Sequence, residues 1–181
     1  MTVTHEQIRA VLADYLDAHP DRAPGVARLT HSLGPGLDIA SRKTFPLHVT
    51  CSAAAVDDAG RILMTHHRAL NRWLLPGGHI EPGDDSLYAT ALRALEEETG
   101  IAWRHAVSLP APGIAPVDIE LHQVPADPAS GEPEHWHADF RFAVRVRDTA
   151  VTLQFSELTA FSWRQSADLP APRLAIRIAA F

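Results

Sequence analysis

The order of patterned segments predicts an α/β protein, with helices layered on a mixed β-sheet. Three observations carry this. Helical and strand periodicities follow one another as helix, strands, helix, strands, helix. Leu47 to Val56 and Arg61 to Thr65 are apolar runs around Asp57-Asp58-Ala59-Gly60, a β-hairpin signature. The 181 residues are 46% hydrophobic and 21% charged, the composition of one globular domain long enough to bury a sizeable core.

The first helix runs from Thr4, a suitable N-cap, to Ala18, with Ile8, Leu12, Tyr15 and Leu16 on one face. Pro20 and Pro24 break the chain after this helix, and residues 27–45 carry only a weak pattern. Residues 1–45 therefore read as a helical lead-in draped over a domain of residues 46–181. After the hairpin, Arg72 to Leu75 is a short strand cut by a turn at Pro76-Gly77-Gly78. A second helix spans about Ser86 to Thr99, with Asp84, Asp85 and Ser86 at its start and Gly100 suited to a left-handed end. Val117 to His122 alternates as a strand. His135 to Arg147 does so with Trp136, Ala138, Phe140 and Phe142 on one face and His135, His137, Asp139 and Arg141 on the other. Leu158 to Trp163 is a last strand. Pro172 opens a terminal helix with Leu174, Ile178 and Phe181 on one side.

Net charge is −6, which gives no reason to coat nucleic acid. The single cysteine, Cys51, forms no internal disulfide, and its small-residue strand reads as inert core. No apolar run approaches the ~20 residues of a membrane span. The first residues lack a basic-then-apolar signal pattern. A cytoplasmic protein is the expectation. Dinucleotide, P-loop and serine-elbow motifs are missing from the sequence.

Chemistry concentrates in residues 77–101. At about 100° per residue, Glu98 lies at about +100° from Glu97, Arg93 at about −40° and position 94 at about +60°. Glu97 and Glu98 thus flank one groove, and position 94 looks into it. Adjacent carboxylates near the negative end of a helix dipole repel one another, and a cation offsets this. Hard oxygen donors suit Mg²⁺ or Mn²⁺, ions that clamp phosphates. Glu96-Glu97-Glu98 alone also reads as a solvated acidic face.

With the glycines upstream, the segment resembles the Nudix box: Gly, five residues, Glu, seven residues, Arg-Glu-apolar-any-Glu-Glu-any-Gly-apolar. Gly78, Arg93, Leu95, Glu97, Glu98, Gly100 and Ile101 match, with Gly77 and Glu81 as common companions. The strands before the box and Trp163 after it are similar as well. The resemblance implies an α/β/α sandwich around a mixed β-sheet, a divalent metal (Mg²⁺ or Mn²⁺), and hydrolysis of a small-molecule diphosphate linked to another moiety. It implies that Glu97 and Glu98 hold the metal with the Gly78 carbonyl, and that Arg93 orients an acid of the loop. Two departures stand out. The loop from Gly78 to Arg93 has one extra residue, so the acid is Asp84 or Asp85. Ala94 replaces the box Glu that follows Arg.

Other candidates surround the box. His135, His137 and Asp139 share a strand face and point to a metal or phosphate, Asp139 as a further metal ligand and the histidines toward substrate. Glu132 and Glu134 are loop alternatives to Asp139. Glu81, or an acid of residues 124–134, is a candidate base in place of a Glu at 94. His66, His67 and Arg68 read as a solvated strand end, and Trp73 and Trp103 as packing residues. A binding module that turns over little substrate is the competing function. A diphosphate isomerase of the same fold needs a cysteine later than Cys51.

Overall fold

The computed structural model describes residues 2–34, 36–102, 104, 106–108, 114–128 and 131–179. In chain order it contains α1 (His5–Ala18), a 3₁₀ turn (Pro20–Val26), α2 (Ala27–Ser32), β1 (Leu47–Val56), β2 (Ile62–His67), β3 (Arg72–Leu74) and β4 (Gly77–His79). Then come α3 (Leu87–Thr99), β5 (Ala106–Ser108), β6 (Asp118–Val124), β7 (His135–Val146), β8 (Leu158–Arg164) and α4 (Pro172–Ala179). Trp103 and Phe181 lie outside the described residues.

β1 is the axis of a mixed sheet. It runs parallel to β7 from Leu47↔Trp136 to Val56↔Arg145, antiparallel to β4, and meets β2 at Val56↔Ile62. All ten of its residues are buried, so both faces are covered, which suits its run of small apolar residues. β6 pairs along the outer edge of β7, and β8 along β2.

Alternation gives the sheet two different faces. On one, Val49, Cys51 and Ala53 of β1 and Ala138, Phe140 and Phe142 of β7 pack with Leu87, Ala91 and Leu95 of α3 and Ile8, Leu12 and Leu29 of the lead-in. Each fully buried Leu, Ile or Phe side chain there contributes roughly 1.5–3 kcal/mol. On the other face Ala54, Val56, Ile62 and Met64 lie under Leu174 and Ile178 of α4. Helices on both sides make an α/β/α sandwich. The rest of the second face is polar: His48, Thr50 and Ser52 on β1 stand beside His137, Asp139 and Arg141 on β7.

Two segments differ from the sequence expectation. Pro20 and Pro24 do not break the chain but sit in the 3₁₀ turn, where fixed φ is tolerated. Pro76-Gly77-Gly78 is not a turn, because Gly77-Gly78-His79 is itself a strand, paired Ser52↔Gly77, Cys51↔Gly78 and Thr50↔His79. The absent side chain of Gly77 permits this: a Cβ there would stand 2.8 Å from the Cys51 carbonyl oxygen and closer still to the Ser52 hydroxyl.

The lead-in and α4 are tied to β6 through one carboxylate. Asp118 is 3% exposed. It accepts a hydrogen bond from the Tyr15 hydroxyl at 3.2 Å and lies within 3.8–3.9 Å of the guanidinium groups of Arg22, Arg141 and Arg177. The Thr4 capping box fixes the start of α1, the Thr4 side chain accepting from Gln7 N–H at 3.2 Å. Removing residues 1–45 would strip this anchor and take Ile8, Leu12, Tyr15 and Leu29 out of the core. The full chain should unfold in one cooperative thermal transition by near-ultraviolet circular dichroism, and the fragment 46–181 should show no such transition. A fragment melting within a few degrees of the full chain contradicts this.

Candidate active site

α3 is set by its ends and its apolar stripe. The Ser86 side chain accepts from Ala89 N–H, and Gly100 closes the helix at φ 72° with its N–H on the Glu96 carbonyl. Backbone N–H groups of Thr152 and Gln154 donate to the carbonyls of Thr99 and Glu98, so the loop after β7 covers the last turn. Leu87, Ala91 and Leu95 point into the core. That roll turns Ala94 and Glu98 toward the strands and leaves Glu97 outside.

Arg93 is the junction. Its Nε and Nη2 donate to the two oxygens of Asp84, each at 2.9 Å; Nη2 also reaches the His79 carbonyl at 2.8 Å and Nη1 reaches Glu97 at 2.7 Å. Asp84, not Asp85, is therefore the loop acid held by Arg93. Asp84 is 6% exposed and also accepts from Glu81 N–H and the Thr90 hydroxyl. Burial pushes its carboxyl upward, but the bonds from Arg93, Glu81 N–H and Thr90 outweigh burial and hold it below its ordinary value. Asp84 raises the Arg93 guanidinium further, against burial. The side chain of Glu81 is on an exposed residue.

Glu97 and Glu98 face different surroundings. The Glu97 side chain is 58% exposed and paired with Arg93. Glu98 is turned against Gly77 N–H and the Thr65 hydroxyl, the latter 3.5 Å away. Burial, the nearby Glu157 carboxylate and Glu97 push Glu98 up to about 8, despite its bonds to Gly77 N–H and Thr65. Glu157, from the loop before β8, was not a candidate from the sequence, and no motif marks it. Ala94 is 3% exposed, and a Cβ on Gly78 would touch its methyl at 3.6 Å. Position 94 thus looks at Gly78.

Asp139 and the histidines belong to the other face. Asp139 is 5% exposed, with both oxygens taken by the Ser52 hydroxyl (2.8 and 2.9 Å) and Arg141 Nε at 2.9 Å. β1 stands between β4 and β7, and the Ser52 hydroxyl that binds Asp139 also lies beside Gly77. Among the described residues the hydrogen-bond partners of Asp139 are Thr50, Ser52 and Arg141, none of them on α3. Alternation identifies its face correctly, but only tertiary packing reveals that α3 covers the opposite one. His135 is 1% exposed, and its Nε2 is 3.1 Å from His137 Nε2. It shows no face to solvent. Glu132 is paired with Arg42 at 2.9 Å. His66 and His67 are engaged by Thr159 and Leu70 N–H, Arg68 by the Phe155 carbonyl, and Trp73 by Arg164 stacked 4.1 Å from its ring.

The family model described as NUDIX domain matches residues 46–181. The chain belongs to the Nudix family. A curated relative, described as a probable DHNTP pyrophosphohydrolase of Lactococcus lactis subsp. cremoris (strain MG1363), is 28% identical over 102 residues. That match covers 56% of this chain and spans only 57% of the relative's length. Among solved structures, a NUDIX-family hydrolase of Clostridium perfringens superposes with TM-score 0.54 at 20% identity, covering 74% of this chain and 95% of the other. An Ap4A hydrolase of C. elegans gives 0.53 at 18% identity, with coverage of 74% and 96%. The E. coli dihydroneopterin triphosphate pyrophosphohydrolase gives 0.52 at 16%, with 74% and 93%. These likenesses fix the Nudix fold.

The geometry of Arg93 and Glu98 sets two expected outcomes. Arg93→Ala leaves Asp84 buried without its fork and should cost about 2–3 kcal/mol by chemical denaturation; an unchanged midpoint contradicts this. Glu98 holds its proton in the folded chain up to about 8, whereas the unfolded chain releases it near 4.5. The native state binds more protons between these values, so metal-free stability falls as pH rises from 4.5 to 8. Glu98→Gln should remove that fall and unfold at higher temperature than wild type at pH 9, with the two converging near pH 4. Parallel melting-pH curves contradict it.

Proposed function

We propose that this Nudix protein hydrolyses the diphosphate linkage of a nucleoside diphosphate derivative or related small molecule, with Mg²⁺ or Mn²⁺ held by Glu97, Glu98 and the Gly78 carbonyl. The observation that carries this reading is Glu98: a carboxylate turned inward beside two other acids, offset among the described residues by the Thr65 hydroxyl and the Gly77 N–H. A hard divalent cation fits that uncompensated oxygen donor set, and the Gly77-Gly78 backbone lies alongside. When bound, such an ion polarises phosphate oxygens and lowers the pKa of a water. The Lactococcus relative's description as a probable pyrophosphohydrolase supports the same reaction class.

The chain's own groups have separable roles. Arg93 positions: its fork to Asp84 and its bond to the His79 carbonyl fix α3 against β4, and its third arm steadies Glu97. Asp84 holds Arg93 in that pose, and Glu81 N–H orients Asp84. With alanine at 94, the base must come from elsewhere. Glu157 is an acid from outside α3 whose charge reaches Glu98, and Glu81 is the second candidate.

Ala94 also favours a second reading, a Nudix-fold binder with slow turnover. A positioned base contributes typically ~10²–10⁴ in rate, and position 94 carries a methyl packed toward Gly78.

Phosphate release from a panel of nucleoside diphosphate derivatives, with Mg²⁺, Mn²⁺ or chelator, separates the readings. Metal-dependent turnover supports the enzyme, and binding without turnover supports the module. Glu97→Gln combined with Glu98→Gln should abolish both turnover and metal-linked thermal stabilisation. An unchanged metal shift in that variant places the ion elsewhere. Ala94→Glu should raise turnover by at least ~10-fold, about 1.4 kcal/mol of barrier. It should lower stability, since the new carboxylate enters a buried position one turn from Glu98. A wild type that Ala94→Glu slows already has its base elsewhere.

A further inference from the structure

Five of the eleven histidines gather on the polar sheet face, the one opposite α3. His48 and His137 are register partners on β1 and β7, and His135 stands two residues before His137. One ring nitrogen from each of His48, His135 and His137 lies within 4.8 Å of the others. His79 and His122 border the group, with ring centroids 5.1 and 5.3 Å from that of His137.

The rings are oriented from behind. His135 Nδ1 is 2.7 Å from the Pro133 carbonyl, and His48 Nδ1 is 3.1 Å from the Thr44 carbonyl. A carbonyl only accepts, so each Nδ1 carries the hydrogen, and in the neutral ring the Nε2 lone pair faces inward. His48, 1% exposed, has its Nε2 buried with no hydrogen-bond partner. His135 Nε2 and His137 Nε2 meet at 3.1 Å. His137 Nε2–H can serve the His135 lone pair, but the buried His48 lone pair then has no donor among the described residues, which is costly.

We propose that His48, His135 and His137 form a second metal site, of nitrogen donors, for Zn²⁺ or a similar borderline transition ion. Imidazole nitrogens bind such ions at about 2.0–2.1 Å, which sets neighbouring donors of a tetrahedral site roughly 3.4 Å apart, within the spread of this cluster. Carbonyl-bound Nδ1–H groups are the usual outer support of a metal-bound imidazole. Burial, then the neighbouring rings, lowers His137 to about 2, and burial also lowers His48. Neutral rings such as His48 and His137 are poor phosphate binders and good metal ligands, which favours a metal here over the phosphate contact read from His137 in the sequence. Three protein ligands leave a fourth position open, and the His79 ring stands 5.1 Å from those of His48 and His137. The ion would clamp β1 to β7, so its binding has a stability readout.

The test uses the full chain, stripped with chelator and then titrated with Co²⁺ or Zn²⁺ alone. The expected result is one equivalent of Co²⁺ giving the visible absorption of a nitrogen-ligated four- or five-coordinate ion, displaced by Zn²⁺, with a rise in melting temperature. His137→Gln, at the partly exposed ligand, should weaken Co²⁺ binding by more than the about 10–100-fold of an outer-shell loss. Glu97→Gln with Glu98→Gln should leave the absorption unchanged, which separates this site from the proposed catalytic one. Wild type that develops no Co²⁺ absorption overturns the proposal without any variant. So does a signal that survives His137→Gln, or one that disappears with Glu97 and Glu98.

Discussion

The Arg93 guanidinium is the interaction on which the site depends. Among the described residues, it alone touches all three of the loop acid Asp84, the helix acid Glu97 and the backbone of β4 at His79. A fork on a carboxylate fixes orientation as well as distance, and burial of Asp84 strengthens the pair. Because β4 is only three residues long and mostly glycine, it has little side-chain packing to hold it. The pairing with β1 on one edge and the Arg93–His79 bond together hold it in place. Glu98 can then lie against the Gly77 N–H, and Ala94 against Gly78.

The central strand divides the chemistry. Odd positions of β1 face the core under α3, and even positions face a polar layer that α4 covers only at the Ala54–Val56 end. Oxygen donors collect at the α3 edge of the sheet, and nitrogen donors on the opposite face. His79 links the two: its carbonyl takes the Arg93 bond while its ring borders the histidines. Asp139 lies between, locked by Ser52 and Arg141, and serves the polar layer.

The legible parts of this structure were those set by local sequence. Residues 78–101 encode a loop and one helix, so spacing alone orders Gly78, Arg93, Glu97 and Glu98, and the i, i+4 contact of Arg93 with Glu97 follows from the helical repeat. The β-hairpin and the split of β7 into two faces follow from period-2 patterning. The sequence was silent where partners are distant. His48 meets His137 only through a parallel pairing whose register no local signal fixes. Glu157 reaches Glu98 through the β2–β8 pairing. Gly77 as a strand residue depends on the close approach to Ser52 that its missing side chain allows. Asp84 could be separated from Asp85 only by seeing which carboxylate is buried.

Crystals of the full chain grown with Mn²⁺, with diffraction measured at an energy where manganese scatters anomalously, test the central claim most directly. The account requires an anomalous peak about 2.2 Å from carboxylate oxygens of both Glu97 and Glu98, adjacent to the Gly78 carbonyl. A fully occupied Mn²⁺ bound away from these carboxylates, or none at millimolar Mn²⁺, would contradict it.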